Sequence, residues 1–301
     1  MTTATVAQPD TADTHAHRAL ALIAQHRLLT SPQLHQLVMP GALPNKIHKI
    51  LRPLREDGLI AHTALGGRGY HAYFLTPAGT QAVGDWPELR GRHISTIPSP
   101  AAAALRAAHT LTGVRAHLTF LKDARARRDE YQALDWVPEV THRLPDTGGE
   151  DRLVADAVFH YTSTGARRMH YRAFVEIDRA TMSSERLARK LITYARFHDY
   201  TPQTPGRRGT VADQDTPLAW QRFYPRFPRI LFILTGASRT TLANRIADLR
   251  RMTADHDLVT RFAARVPLGA AILEDLETQG PASPVWTPLA GAPELRGWTQ
   301  L

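Results

Sequence analysis

Two carboxylates interrupt an otherwise apolar run, Phe174-Val175-Glu176-Ile177-Asp178. If that run is a strand, its period of two puts Glu176 and Asp178 on one face. A third acid, Asp156, sits in a similar run, RLVADAVFHY, twenty residues ahead of Glu176. Adjacent strands would gather the three acids at one end of a sheet, where mutual repulsion calls for a cation. Oxygen-only ligands select Mg²⁺ or Mn²⁺ over zinc. The segment that follows, SERLARKLITYARFHD, reads as a helix capped by Ser183 or Ser184, with Leu187, Leu191, Tyr194 and Ala195 on its apolar face. At about 100° per residue, Lys190 falls inside that arc. A lysine facing a sheet is unusual, and this one is placed to reach the acids. Asp156, Glu176 and Asp178 are thus the candidate metal ligands, and the same three with Lys190 the candidate catalytic set. A competing reading pairs Glu176 and Asp178 with Arg172, Arg179 or Arg189 and needs no metal.

These residues need a scaffold. Strands are expected at 136–142, 153–161, 171–178 and 229–235, the last a continuous apolar run, RILFILT, that suits a buried central strand. A further strand is expected near 262–267. Helices are expected at about 102–128, with a break at Gly113, and at 184–199 and 241–252. The pattern is that of a mixed α/β domain. Residues 201–220 are rich in proline and glycine and read as a long loop, in which Arg207 and Arg208 are candidate nucleic-acid contacts.

Ahead of this lies a second pattern. A first helix is expected at 15–26. Thr30 precedes Gln33 by three residues, a capping-box signal for a second helix to about Val38. A third runs from about Pro44 to Asp57-Gly58, and strands at 59–64 and 70–75 flank the tip Gly66-Gly67-Arg68-Gly69. In the third helix Ile47, Ile50, Leu51 and Leu54 form an apolar stripe. Asn45, Lys46, His48, Lys49 and Arg52 are left on the outer faces, with Arg68 at the hairpin tip. Amides and cations in those places suit base edges and phosphates. Pro53 removes one helical hydrogen bond and is expected to kink the last turn.

Composition agrees with an acidic partner. The chain has 301 residues and a formal net charge of +9, which makes double-stranded DNA the first candidate. There is no cysteine, so disulfide scaffolds and Cys-ligated zinc are excluded. The absence of a signal-like start or a membrane-length apolar run leads to the expectation of a cytoplasmic protein with no membrane partner. Walker, GxGxxG and G-x-S-x-G motifs are missing, as is a histidine-hydrophobe-histidine relaxase motif.

Three helices and a hairpin, closing with LREDGLIAHTALGGRGYHAYFLTPAG, resemble a winged helix-turn-helix. The acids and the helix behind them resemble the PD-(D/E)XK nuclease superfamily. Carried over, Asp156 matches its first acid and Glu176 its second. Asp178 stands where that motif has lysine, and Lys190 matches the branches that take the lysine from the next helix. Over nearly the whole chain, the winged helix, the Asp156 strand, FVEIDRAT and LARKLITY resemble the replication-relaxation family of actinobacterial plasmids and integrative elements. Composition reads as a disordered tail at 1–13 and a linker at 86–104, and the resemblance implies a winged helix at 14–85 between them. A restriction-endonuclease-like α/β domain at 105–277 and an irregular tail at 278–301 follow. It also implies a DNA-binding protein acting in replication, relaxation or transfer. That protein is either a Mg²⁺- or Mn²⁺-dependent endonuclease or nickase, or a non-catalytic accessory factor or repressor on a degenerate nuclease fold. A homodimer and replication or transfer proteins complete the expected partners.

Overall fold

The computed structural model describes residues 11–65, 71–144, 152–202 and 217–301. The chain divides into two compact units, residues 1–118 and 119–301.

In the first unit, α1 (Thr11–His26) leads through β1 (Leu29–Thr30) to α2 (Ser31–Val38) and α3 (Lys46–Glu56). The strands β2 (Ile60–Ala64) and β3 (His71–Leu75) follow, then α4 (Pro77–Val83). The sheet order is β1-β3-β2, antiparallel throughout. Thr30 caps α2 in a full capping box: its hydroxyl accepts from Gln33 N at 3.3 Å, and the Gln33 side chain accepts from Thr30 N at 3.1 Å. Helix α3 buries Ile47, Ile50, Leu51 and Leu54 and continues through the exposed Pro53 to Glu56. The TPAG sequence after β3 has a tertiary reason. Thr76 caps α4 and also donates to the Gly58 carbonyl at 2.6 Å, while a Cβ at Gly79 would collide with the Leu59 carbonyl.

Residues 86–104, expected as a spacer, carry Leu89, Ile97 and Ala103, all buried; Ile97 and Ala103 pack with Leu28, Ala72 and Phe74. The helix α5 (Pro100–Arg127) is unbroken at Gly113. One glycine costs a helix roughly 1 kcal/mol relative to alanine, and the buried neighbours Thr112 and Val114 hold the turn in place.

The second unit is built on one six-stranded sheet. Its elements are β4 (Trp136–Arg143), β5 (Arg152–Ser163), β6 (Met169–Asp178), α6 (Ser184–Asp199), β7 (Arg229–Leu234), α7 (Arg239–Asp255), α8 (Asp257–Ala263), β8 (Leu268–Ile272), α9 (Leu273–Gln279) and β9 (Thr287–Pro288). Strand order follows chain order: β4, β5 and β6 are antiparallel, β6, β7 and β8 parallel, and β9 antiparallel to β8. The parallel pairs need crossovers, which α6 and the α7–α8 pair supply. Phe174, Ile230, Phe232, Leu234 and Leu268 form a core with Leu187, Leu191, Leu242 and Phe262 from those helices. On another part of the core, Phe120 of α5 meets Phe159 at 4.7 Å and Trp298 at 5.7 Å.

Two expectations shift here. The strand expected near 262–267 lies at Leu268–Ile272, because Phe262 closes the short helix α8 and Pro267 precedes the strand. The tail after 277 is irregular in outline but buried in part. Trp286, Leu289 and Trp298 are buried, and Arg229 donates to the carbonyls of Trp298 and Leu301. A bare proline- and glycine-rich composition hid these anchoring tryptophans.

Candidate acidic site and exposed basic helix

Strand β6 runs central and parallel to β7, pairing Glu176 with Phe232 and Asp178 with Leu234. Both acids are 1 % exposed. Such charges are stable only with partners, and the two have different ones.

Glu176 is held from α6. The Tyr194 hydroxyl donates to Oε1 at 2.6 Å, and the Lys190 ammonium donates to Oε2. Lys190 and Tyr194 are one helical turn apart, so one face of α6 delivers both. The same ammonium lies 3.8 Å from Asp156 Oδ1. Asp156 belongs to the strand beside β6, whose ladder runs to Ala157 opposite Val175. Just beyond, Asp156 Oδ2 accepts from Ile177 N at 2.7 Å, so a side chain takes up a backbone donor of β6. Two carboxylates from neighbouring strands thus share one ammonium. Burial first, and then the nearby Asp156, push the Glu176 carboxyl up to about 8, against the opposing pull of Lys190 and Tyr194. Burial and the Glu176 carboxylate push the Tyr194 phenol well above its usual range.

Asp178 does not join this group. Arg245 of α7 donates to its Oδ2 through Nε at 3.0 Å and through a terminal nitrogen at 2.5 Å, and that terminal nitrogen also donates to the Met182 carbonyl at 2.5 Å. Asp178 Oδ1 is buried with no hydrogen-bond partner among the described residues. The cation is none of the three arginines that the sequence put forward, because Arg245 lies 67 residues on, across β7. Tyr194 was read only as an apolar position, and its hydroxyl has no signature in a periodic pattern.

Among the described residues no three His, Asp or Glu side chains gather as a metal cluster. The donor set at Asp156 and Glu176 fits one hard divalent cation, since two carboxylates on adjacent strands already converge on a positive charge. Asp178 does not fit as a third ligand, because Arg245 holds one of its oxygens.

In the first unit, Asn45, Lys46, His48, Lys49 and Arg52 are all exposed along α3. Arg52 donates to Glu56 at 2.8 Å, four residues on; that hydrogen bond raises the Arg52 pKa. Arg68, Arg207 and Arg208 lie outside the described residues.

Residues 20–212 match the family model for replication-relaxation proteins. The chain belongs to the replication-relaxation family. The match takes in more than half of the chain, including α3, Asp156, Glu176 and Lys190. Family membership points to a role in the replication or relaxation of a plasmid or similar element. Nothing among curated proteins or solved structures matched the chain. For this replication-relaxation protein, no described helix is long and apolar enough to cross a membrane.

Proposed function

We propose that this family member binds double-stranded DNA through its first unit and acts on it as a metal-dependent endonuclease or nickase through the second. The observation that carries the reading is the sharing of the Lys190 ammonium by Asp156 and Glu176. The element order supports it: a helix, three antiparallel strands, a crossing helix and a parallel strand come in the order expected of a nuclease-like core. The first unit has the order of a winged helix-turn-helix, with α3 as the helix offered to the major groove.

In this reading Asp156 and Glu176 would hold Mg²⁺ or Mn²⁺. A cation held there would supply Lewis acidity toward a phosphoryl group. Tyr194 fixes the Glu176 carboxylate by its hydrogen bond, and Lys190 balances negative charge on the scissile phosphate. Asp178 serves the fold through Arg245. The protein works in the cytoplasm, as a homodimer or with replication or transfer proteins.

The test is incubation with supercoiled plasmid in Mg²⁺, Mn²⁺ or EDTA. Wild type should nick in the metals and not in EDTA. Lys190→Met keeps the aliphatic stem and loses the charge, so it should lower nicking at least about a hundredfold, the scale of one electrostatic stabiliser, with DNA affinity unchanged. Nicking by Lys190→Met at the wild-type rate would end the assignment of Lys190.

A second reading, a non-catalytic accessory factor or repressor, rests on a specific observation. Lys190 already pairs with two of the acids and Arg245 with the third, so each carboxylate has a cationic partner from within the unit. Tight DNA binding with no nicking in either metal would favour it.

A further inference from the structure

At the far end of α6 from the acids, a cavity of about 390 Å³ opens in the second unit. Arg261 and Arg265 stand on its rim, four residues apart, both exposed. Neither forms an ion pair among the described residues, unlike Arg245, Arg239 and Arg251 nearby in sequence. The wall is aromatic and packed. Phe262 is buried, the His198 ring stands 5.4 Å from it edge-on, and Trp220 stacks behind His198 at 6.1 Å and 14°. Trp220 Nε1 also donates to the His198 carbonyl at 3.0 Å, which fixes that wall. Asp199 is the one acid in the lining. Its Oδ1 is taken by His198 Nδ1 at 2.7 Å, and its carboxylate is half exposed.

This combination narrows the ligand. Two unpaired guanidiniums ask for an anion with several oxygens, and arginine forks suit phosphate. The buried Phe262 and His198 rings give the cavity an apolar edge, which suits a ring-bearing ligand better than a bare anion. A carboxylate beside them asks for N–H donors on that ring, and a simple anion would find it repulsive. The volume lies within the roughly 300–1,000 Å³ of small-molecule sites. We propose that this cavity binds a nucleoside phosphate, with the phosphate on Arg261 and Arg265, the base against the apolar edge that Phe262 and His198 present, and an N–H edge on Asp199. The same chemistry is met in a free nucleotide and at a 5′-phosphorylated strand end. The proposal stands whether or not the acidic site cleaves DNA.

Equilibrium dialysis with labelled deoxyguanosine monophosphate tests it on the full chain. Saturable binding is expected, with deoxyguanosine and inorganic phosphate each about tenfold or more weaker, because each lacks one half of the contacts. Arg261→Ala with Arg265→Ala should weaken the nucleotide by about tenfold or more. These side chains are exposed, and an unchanged melting temperature would show the fold intact. Asp199→Ala should narrow the preference for the nucleotide over inorganic phosphate. Glu176→Gln should leave nucleotide binding unchanged, which keeps this site separate from the acidic one. A 5′-phosphorylated dinucleotide that competes more strongly than the mononucleotide identifies a strand end as the source; weaker competition identifies the free nucleotide. No saturable binding, or equal binding by the double arginine variant, overturns the proposal. So does loss of binding in Glu176→Gln but not in the arginine variant.

Discussion

Helix α3 and strand β6 both carry charge in an apolar setting, and they treat it in opposite ways. On α3 the stripe Ile47, Ile50, Leu51 and Leu54 points inward, and Lys46, Lys49 and Arg52 are left in water. Charges there cost little and remain available to a polyanion. On β6 the acids replace core residues at 1 % exposure, and each has recruited a cation from a helix, Glu176 from the next one in the chain and Asp178 from one 67 residues on. The difference teaches that an exposed charge is described by its own element, whereas a buried one is described by its partner.

The comparison breaks first at Arg245. Removing it strands the buried Asp178 carboxylate, and Arg245→Ala should cost about 3–5 kcal/mol, the usual penalty for halving a buried pair. A urea titration measures it, and a loss under about 1 kcal/mol would show that Asp178 does not depend on this partner. Lys46→Ala, Lys49→Ala and Arg52→Ala together should leave the melting temperature unchanged but weaken duplex binding. The slope of log affinity against log salt should fall by roughly 3 if each cation meets one phosphate, at about 0.9 per contact. An unchanged slope would take α3 out of the interface.

Glu176 sharpens the contrast through pH. Its folded-state pKa, about 8, is above the usual 4.5, so the native protein holds this proton more tightly than the unfolded chain. Its contribution to stability is therefore full below about pH 4.5 and is lost as pH rises toward about 8. Glu176→Gln should flatten that part of the stability profile, which chemical denaturation at a series of pH values would detect. A wild-type profile that rises from pH 5 to 8 and is unaltered in Glu176→Gln would contradict the raised value. In the same window nicking should increase, because Asp156 and Glu176 hold a cation best when both are ionised. The smallest effect is expected at Glu56. Its bond to Arg52 is exposed and screened, so Glu56→Ala should leave the melting temperature within error.

Much of this was legible locally. The Thr30–Gln33 capping box, the buried stripe of α3, the 184–199 helix and the strand through Glu176 all follow from spacings inside one element. So does the direction of Lys190, which the helical angle turns toward the sheet. Local spacing failed where neighbours were supplied from afar. Gly113 looked like a break and is not, because its flanking residues are buried. The proline-rich segments at 86–104 and after 277 looked loose, yet Ile97, Trp286 and Trp298 anchor them.

By itself, then, the sequence determined which residues share a face, since helical and extended backbones fix that by geometry alone. It thereby put Glu176 and Asp178 together and left the α3 cations outside. Only the tertiary structure decided that the two acids part company, Glu176 going to Lys190 and Tyr194 and Asp178 to Arg245. It likewise decided the strand at Leu268–Ile272, whose glycine and alanines have weak strand preference. A Cβ at Gly269 would lie 2.5 Å from Leu301 Cδ1, so the small residue answers to a side chain 32 residues on. Pairings of this kind depend on the distance between groups in space, and a linear pattern carries no term for it.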